Sequence, residues 1–116
     1  MYAIVIECRN HITVKPLAVQ INNGETRISL SGSGFGETKE LTANVTGGVG
    51  PYTYAWYRYQ YNVNTQKYEF VKVSETSSFT ADTSPRQGHR VKVEVTDSAG
   101  TTVTTVIYIE VTDIVN

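Results

Sequence analysis

The chain is poor in cysteine and histidine, residues much used for nucleophilic, metal-binding and proton-relay chemistry: it has one cysteine and two histidines. With Cys8 alone, no intrachain disulfide can form, and the fold must rest on packing. Its thiol reads as a small buried hydrophobe: a nucleophile needs a partner base, and neither His11 nor His89 has a spacing that supplies one. Charge is scarce too. Lys, Arg, Asp and Glu are 18% of the 116 residues and the net charge is −1. With pI ≈ 6.1 there is no electrostatic footprint for nucleic acid. No apolar run approaches the roughly 20 residues of a membrane span. The N-terminus lacks a basic leading region, and Glu7 interrupts the run Tyr2-Ala3-Ile4-Val5-Ile6, which makes a poor signal peptide. Neither nucleic acid nor membrane is expected as a partner.

Catalytic inventories are missing as well. There is no Gly-x-Ser-x-Gly, His-Glu-x-x-His or phosphate loop. Asp82, Asp97 and Asp113 do not have calcium-loop spacing. Asp97 reads as a side-chain cap of its own turn, with a bound ion as the alternative. No enzyme activity, metal or cofactor is expected.

What is present is alternation. Gly47-Gly48-Val49-Gly50-Pro51 permits positive φ and then fixes it near −65°, so it turns into an extended segment. From there Tyr52, Tyr54 and Trp56 share one face of a strand, and Thr53, Ala55 and Tyr57 the other. Trp56, the only tryptophan, is expected to anchor the core between two sheets; the competing reading is an exposed sugar-binding platform.

Elsewhere the period is also two. Tyr2–Cys8 reads as a short strand and 11–20 as a second extended stretch, with Pro16 at an edge or bulge. Asn22-Asn23-Gly24 signals a turn before Arg27–Leu30, and Ser31–Gly36 a loop. Leu41, Ala43 and Val45 form the apolar face of the next strand. Tyr57–Tyr61 and Tyr68–Val73 flank a polar tip as a hairpin, followed by a short strand at 79–81. In His89–Val95 the valines at 91, 93 and 95 point inward, and Arg90, Lys92 and Glu94 toward water. Asp97-Ser98-Ala99-Gly100 turns into the last strand, 101–111, with Val103, Ile107, Ile109 and Val111 on one face. No stretch has helical period, which predicts an all-β sandwich.

Two motifs resemble the PKD-type branch of immunoglobulin-like domains: Gly47-Gly48…Pro51-Tyr52-Thr53-Tyr54-Ala55-Trp56, and Arg90-Val91-Lys92-Val93-Glu94-Val95-Thr96-Asp97-Ser98-Ala99-Gly100. The resemblance covers Glu37 to Val111 and implies an immunoglobulin-like antiparallel β-sandwich. Residues 37–116 would be the domain, and residues 1–36 either an arm or its extra N-terminal strands. Two features depart from the family. Arg58–Tyr61 prolongs the strand where relatives have a Gly-Asp-Gly-type turn, and His89 stands where many have a tyrosine that anchors the corner.

Two surfaces are candidate interfaces. Tyr57, Tyr59 and Tyr61 lie on one side of a strand with Tyr68 across the hairpin. They suit either partner contact or packing within the sheet, and both readings stay open. The stretch carrying Tyr2, Ile4 and Ile6 could pair with a neighbour's open edge. PKD-like modules usually work outside the cell, and an export signal is not evident here. The expectation is therefore a non-enzymatic phage virion surface protein, a capsid decoration or auxiliary head protein. It would be made in the host cytoplasm and would dock on capsid or other virion proteins, with self-association as a further contact. The alternatives are a carbohydrate-binding or adhesive module of a bacterial surface protein, with surface glycans as ligands, and a plain structural spacer.

Overall fold

Eight strands and no helix make up residues 15–114, which are those that the computed structural model describes. The strands are β1 (Ala18–Ile21), β2 (Arg27–Ser31), β3 (Lys39–Thr46), β4 (Thr53–Asn62), β5 (Lys67–Ser74), β6 (Ser78–Ala81), β7 (His89–Thr96) and β8 (Thr102–Thr112). They form a three-stranded sheet ordered β1-β3-β6 and a five-stranded sheet ordered β2-β8-β7-β4-β5. Every pairing is antiparallel except β2 with β8. The expected strand at Tyr2–Cys8, together with Ile4, Ile6 and His11, lies outside the described residues.

The two sheets face each other across one core, a β-sandwich-like arrangement. Period-two sequence explains it. In β7 the buried positions are 89, 91, 93 and 95; in β8 they are Ile107 and Ile109; in β3 they are Leu41 and Ala43. Trp56 sits at the centre, fully buried and opposite Val93, with Phe79 of the other sheet 6.1 Å away between ring centroids. Its indole N–H donates to the Thr76 carbonyl at 2.9 Å, so burial leaves no orphaned donor. Burying that side chain contributes on the order of 3 kcal/mol.

β1 and β2 belong to different sheets. The chain turns at Asn22–Gly24, where Asn22 (φ 54°) and Gly24 (φ 92°) take left-handed conformations, and crosses from β3's side to β8's. Asn22 clamps this crossing: its amide N–H donates to Thr42 O, and its side-chain oxygen accepts from Thr42 N. Pro16 lies just ahead of β1, an edge strand, where its missing N–H costs no ladder bond.

Candidate functional site

The alternation that buries Trp56 turns its neighbours outward. Tyr57 pairs with Lys72, Tyr59 with Phe70 and Tyr61 with Tyr68 across β4 and β5, and Tyr57 pairs with Lys92 on β7. These side chains therefore share the outer face of the five-stranded sheet. The Tyr61 and Tyr68 rings meet edge-on at 5.5 Å and 70°, and Tyr59 meets Phe70 at 5.3 Å and 75°. Tyr59 and Tyr68, diagonal neighbours, are 6.3 Å apart and 26° from parallel. Tyr59, Tyr61 and Tyr68 are 40–50% exposed. Tyr57 is half-buried, because the Lys92 ammonium lies 5.0 Å from its ring centroid and 4.5 Å from that of Phe70.

The ladder thus has both properties that its sequence allowed. Its rings pack on one another, and three of them also keep a large open surface. Phe70 and Lys92 join it without having been expected. Phe70 is two residues from Tyr68 on the same strand, which is a readable signal. Lys92 belongs to the water-facing set of β7, and only the register of β7 against β4 brings it over Tyr57.

Beside Tyr57 the face dips. Thr53, Tyr54 and Ala55 of β4 and Thr96 of β7 line a hollow of about 370 Å³. Lys72, Glu75 and Glu94 stand around it. β5 ends its pairing at Trp56–Ser74, with a bulge between Trp56 and Tyr57, so β4 runs past β5 there. The charges are paired locally: Lys72 Nζ to Glu75 Oε2 at 2.8 Å, and Lys92 Nζ to Glu94 Oε2 at 3.6 Å.

Asp97 caps its turn, accepting at Oδ1 from the amides of Ala99 (3.1 Å) and Thr101 (2.9 Å). The Thr101 amide does most to hold this carboxyl below the usual carboxylate range; burial opposes it, and the amides of Val49, Ala99 and Gly100 add to it. With its lone pairs spent on backbone, Asp97 is a structural group. Among the described residues no group of three or more His, Cys, Asp or Glu is placed to hold a metal ion.

His89 is buried at the corner between β6 and β7. Its Nδ1 lies 2.9 Å from the Gln87 carbonyl oxygen, so that nitrogen carries the proton in the neutral ring. Nε2 has no partner among the described residues. Burial lowers its pKa below the ordinary histidine value and nearby Arg58 lowers it further, against the Gln87 bond and Asp82. Arg58 Nη1 sits 3.2 Å from Asp82 Oδ1. The ring bond to Gln87 holds the corner at the position where the resemblance expects a tyrosine hydroxyl.

No protein-family model matches the chain, and no curated protein matches its sequence.

Proposed function

We propose that the protein is a non-enzymatic, immunoglobulin-like display module, carried in many copies on a virion surface as a decoration or auxiliary head protein. Support for the immunoglobulin-like part is the strand path. One N-terminal run splits into β1 and β2 and changes sheets, β2 runs parallel to the last strand, and a buried Trp anchors β4 against β7.

The observation that carries the display reading is the separation of two ends. The first described residues, Lys15–Leu17, lie against the glycine loop, where Lys15 O accepts from Gly48 N at 2.8 Å, close to Asp97. The tyrosine-rich hairpin points the other way: β4 starts at Thr53 beside Thr96 and ends at Asn62, roughly 30 Å further on. A module held near its first strand would present the tyrosine face outward. Attachment through the segment carrying Tyr2, Ile4 and Ile6 fits this arrangement. Many copies would make up for modest affinity per contact.

Co-sedimentation of the tagged chain with purified particles, followed by cryo-EM of those particles, tests the reading. Saturable occupancy at symmetry-related positions is the expected result. Particles that never carry the protein, or a gene with no virion genes around it, would overturn it. An adhesive module of a cell-surface protein would use the same outer face, and the particle experiment separates the two.

A further inference from the structure

We infer that the outer face of β4, β5 and β7 is a saccharide-binding site, with ring faces seated on Tyr59 and Tyr68 and hydroxyls held in the hollow beside Tyr57. The inference rests on the display reading above and names the ligand class of the face displayed.

Open aromatic rings alone do not choose an occupant. A protein partner calls for a dry, apolar patch centre with charged residues depleted. Here charge interrupts the aromatic ladder: Lys92 lies over the Tyr57 and Phe70 rings, and Lys72, Glu75 and Glu94 surround the hollow next to them. An ionic ligand calls for an unmatched counter-charge. Here Lys72 is paired with Glu75 and Lys92 with Glu94, so the hollow offers donors and acceptors with little net field.

Paired donors and acceptors beside exposed rings match a neutral polyol. A pyranose has an apolar C–H face, which suits a tyrosine ring, and a rim of hydroxyls that each donate and accept. Glu75 and Glu94 can accept from that rim, Lys72 can donate to it, and Thr53 and Thr96 can do both. Tyr61, set at 70° to Tyr68, closes the far end of the platform. From Thr53 to Tyr61 the strip runs roughly 25 Å, enough for several sugar rings in a row. An open site of this kind binds weakly per copy, and multiple copies raise the avidity.

The test is amide-shift mapping of the isotopically labelled full chain with neutral hexasaccharides (β-glucan, α-glucan, mannan and chitin fragments) at up to 10 mM, with heparin and sialyl-lactose as charged probes. At least one neutral sugar is expected to give saturable shifts centred on residues 53–61, 68–72 and 92–96. Tyr59→Ala should weaken binding by about tenfold or more and Glu94→Gln by several-fold, while Val63→Ser at the hairpin tip leaves it unchanged. Native Trp56 emission in each variant shows that the fold survives. Shifts with none of the neutral sugars, shifts with the charged probes alone, or binding that Tyr59→Ala and Tyr68→Ala both leave intact would each overturn the site. A chain that binds no sugar yet rides on particles removes the site and spares the display reading. A chain that binds a sugar and also releases new reducing ends from it removes the non-enzymatic reading and spares the site.

Discussion

The backbone amide of Val49 donates to Oδ2 of Asp97 at 3.1 Å, joining a glycine-rich loop to a turn 48 residues further on. The contact is reinforced on both sides. Ser98 N donates to Val49 O at 2.8 Å, and the Ser98 hydroxyl reaches the carbonyls of Val49 and Gly50 at 3.0 and 3.1 Å. Tyr52 closes the loop from below through its hydroxyl to Gly47 O at 2.7 Å. The two motifs that carry the family resemblance thus form one structural unit: the carboxylate of one satisfies the orphan amides of both.

That arrangement fixes a pH response. A folded carboxyl held below its unfolded value contributes stability that is fully present above the unfolded pKa of about 3.9, and is lost as pH falls through the lowered folded value. Asp97→Asn keeps the shape but turns one N–H₂ toward an amide N–H of Val49 or of the turn. Denaturant midpoints should be lower for the variant by a constant margin from pH 8 to about 5. The margin should shrink below about pH 4, where the wild type loses its own carboxylate. A margin independent of pH throughout would show that the carboxylate charge contributes nothing.

Gly47 makes a separable test of the same unit. Its φ is +71°, and a Cβ there would strike the carbonyl oxygens of Pro16 and Lys15. Gly34 has a similar φ of +63° with open space around it. Left-handed backbone costs a non-glycine residue about 1–2 kcal/mol. Gly34→Ala should lose about that much in urea denaturation. Gly47→Ala should lose measurably more, because the backbone at Lys15–Pro16 must also move. Equal losses would mean that the N-terminal approach is soft.

Much of this fold was legible because period-two patterning is local. The valines of β7, the Trp56 face and the turn at Asp97 all lie where alternation and turn chemistry put them. The positions of β1 and β2 were not legible. Four- and five-residue strands can join either sheet, and only the left-handed turn at Asn22–Gly24 and the Asn22–Thr42 clamp decide it. The tyrosine ladder could be read from residues 57, 59, 61 and 68. The hollow beside it could not, since it needs the register of β4 on β7 and the early end of β5.

Trp56 tests the core. Trp56→Ala should cost about 3–5 kcal/mol, the range for emptying a large aromatic site. Trp56→Phe should cost less, at about 1–3 kcal/mol, through the volume left by the smaller ring and the lost bond to the carbonyl of exposed Thr76. In the native wild type, emission should be blue-shifted and resistant to iodide, and both properties should vanish together across the urea transition. Ready quenching in the folded state would contradict a Trp sealed between the sheets.

His89 sets a second pH window, of opposite chemistry and higher pH. Its folded pKa is lowered, so below the unfolded value of about 6.5 the unfolded chain binds a proton that the fold resists. Stability is unaffected above about pH 7.5 and falls as pH drops through 6.5, until the folded pKa is reached. The imidazolium would bring a second buried N–H with no acceptor at Nε2 among the described residues, close to the Arg58 guanidinium and with Asp82 as the nearby opposite charge. His89→Phe removes the titration and the orphaned nitrogen while giving up the bond to Gln87, so at pH 8 its stability should stay within about 1–2 kcal/mol of wild type. Between pH 7 and 5 the wild-type urea midpoint should fall relative to that of the variant. His11→Gln serves as the control for the other histidine. Direct NMR titration should give His89 a pKa below 6.5; a value at or above it, or parallel wild-type and variant curves, would show that the corner accepts the charged ring.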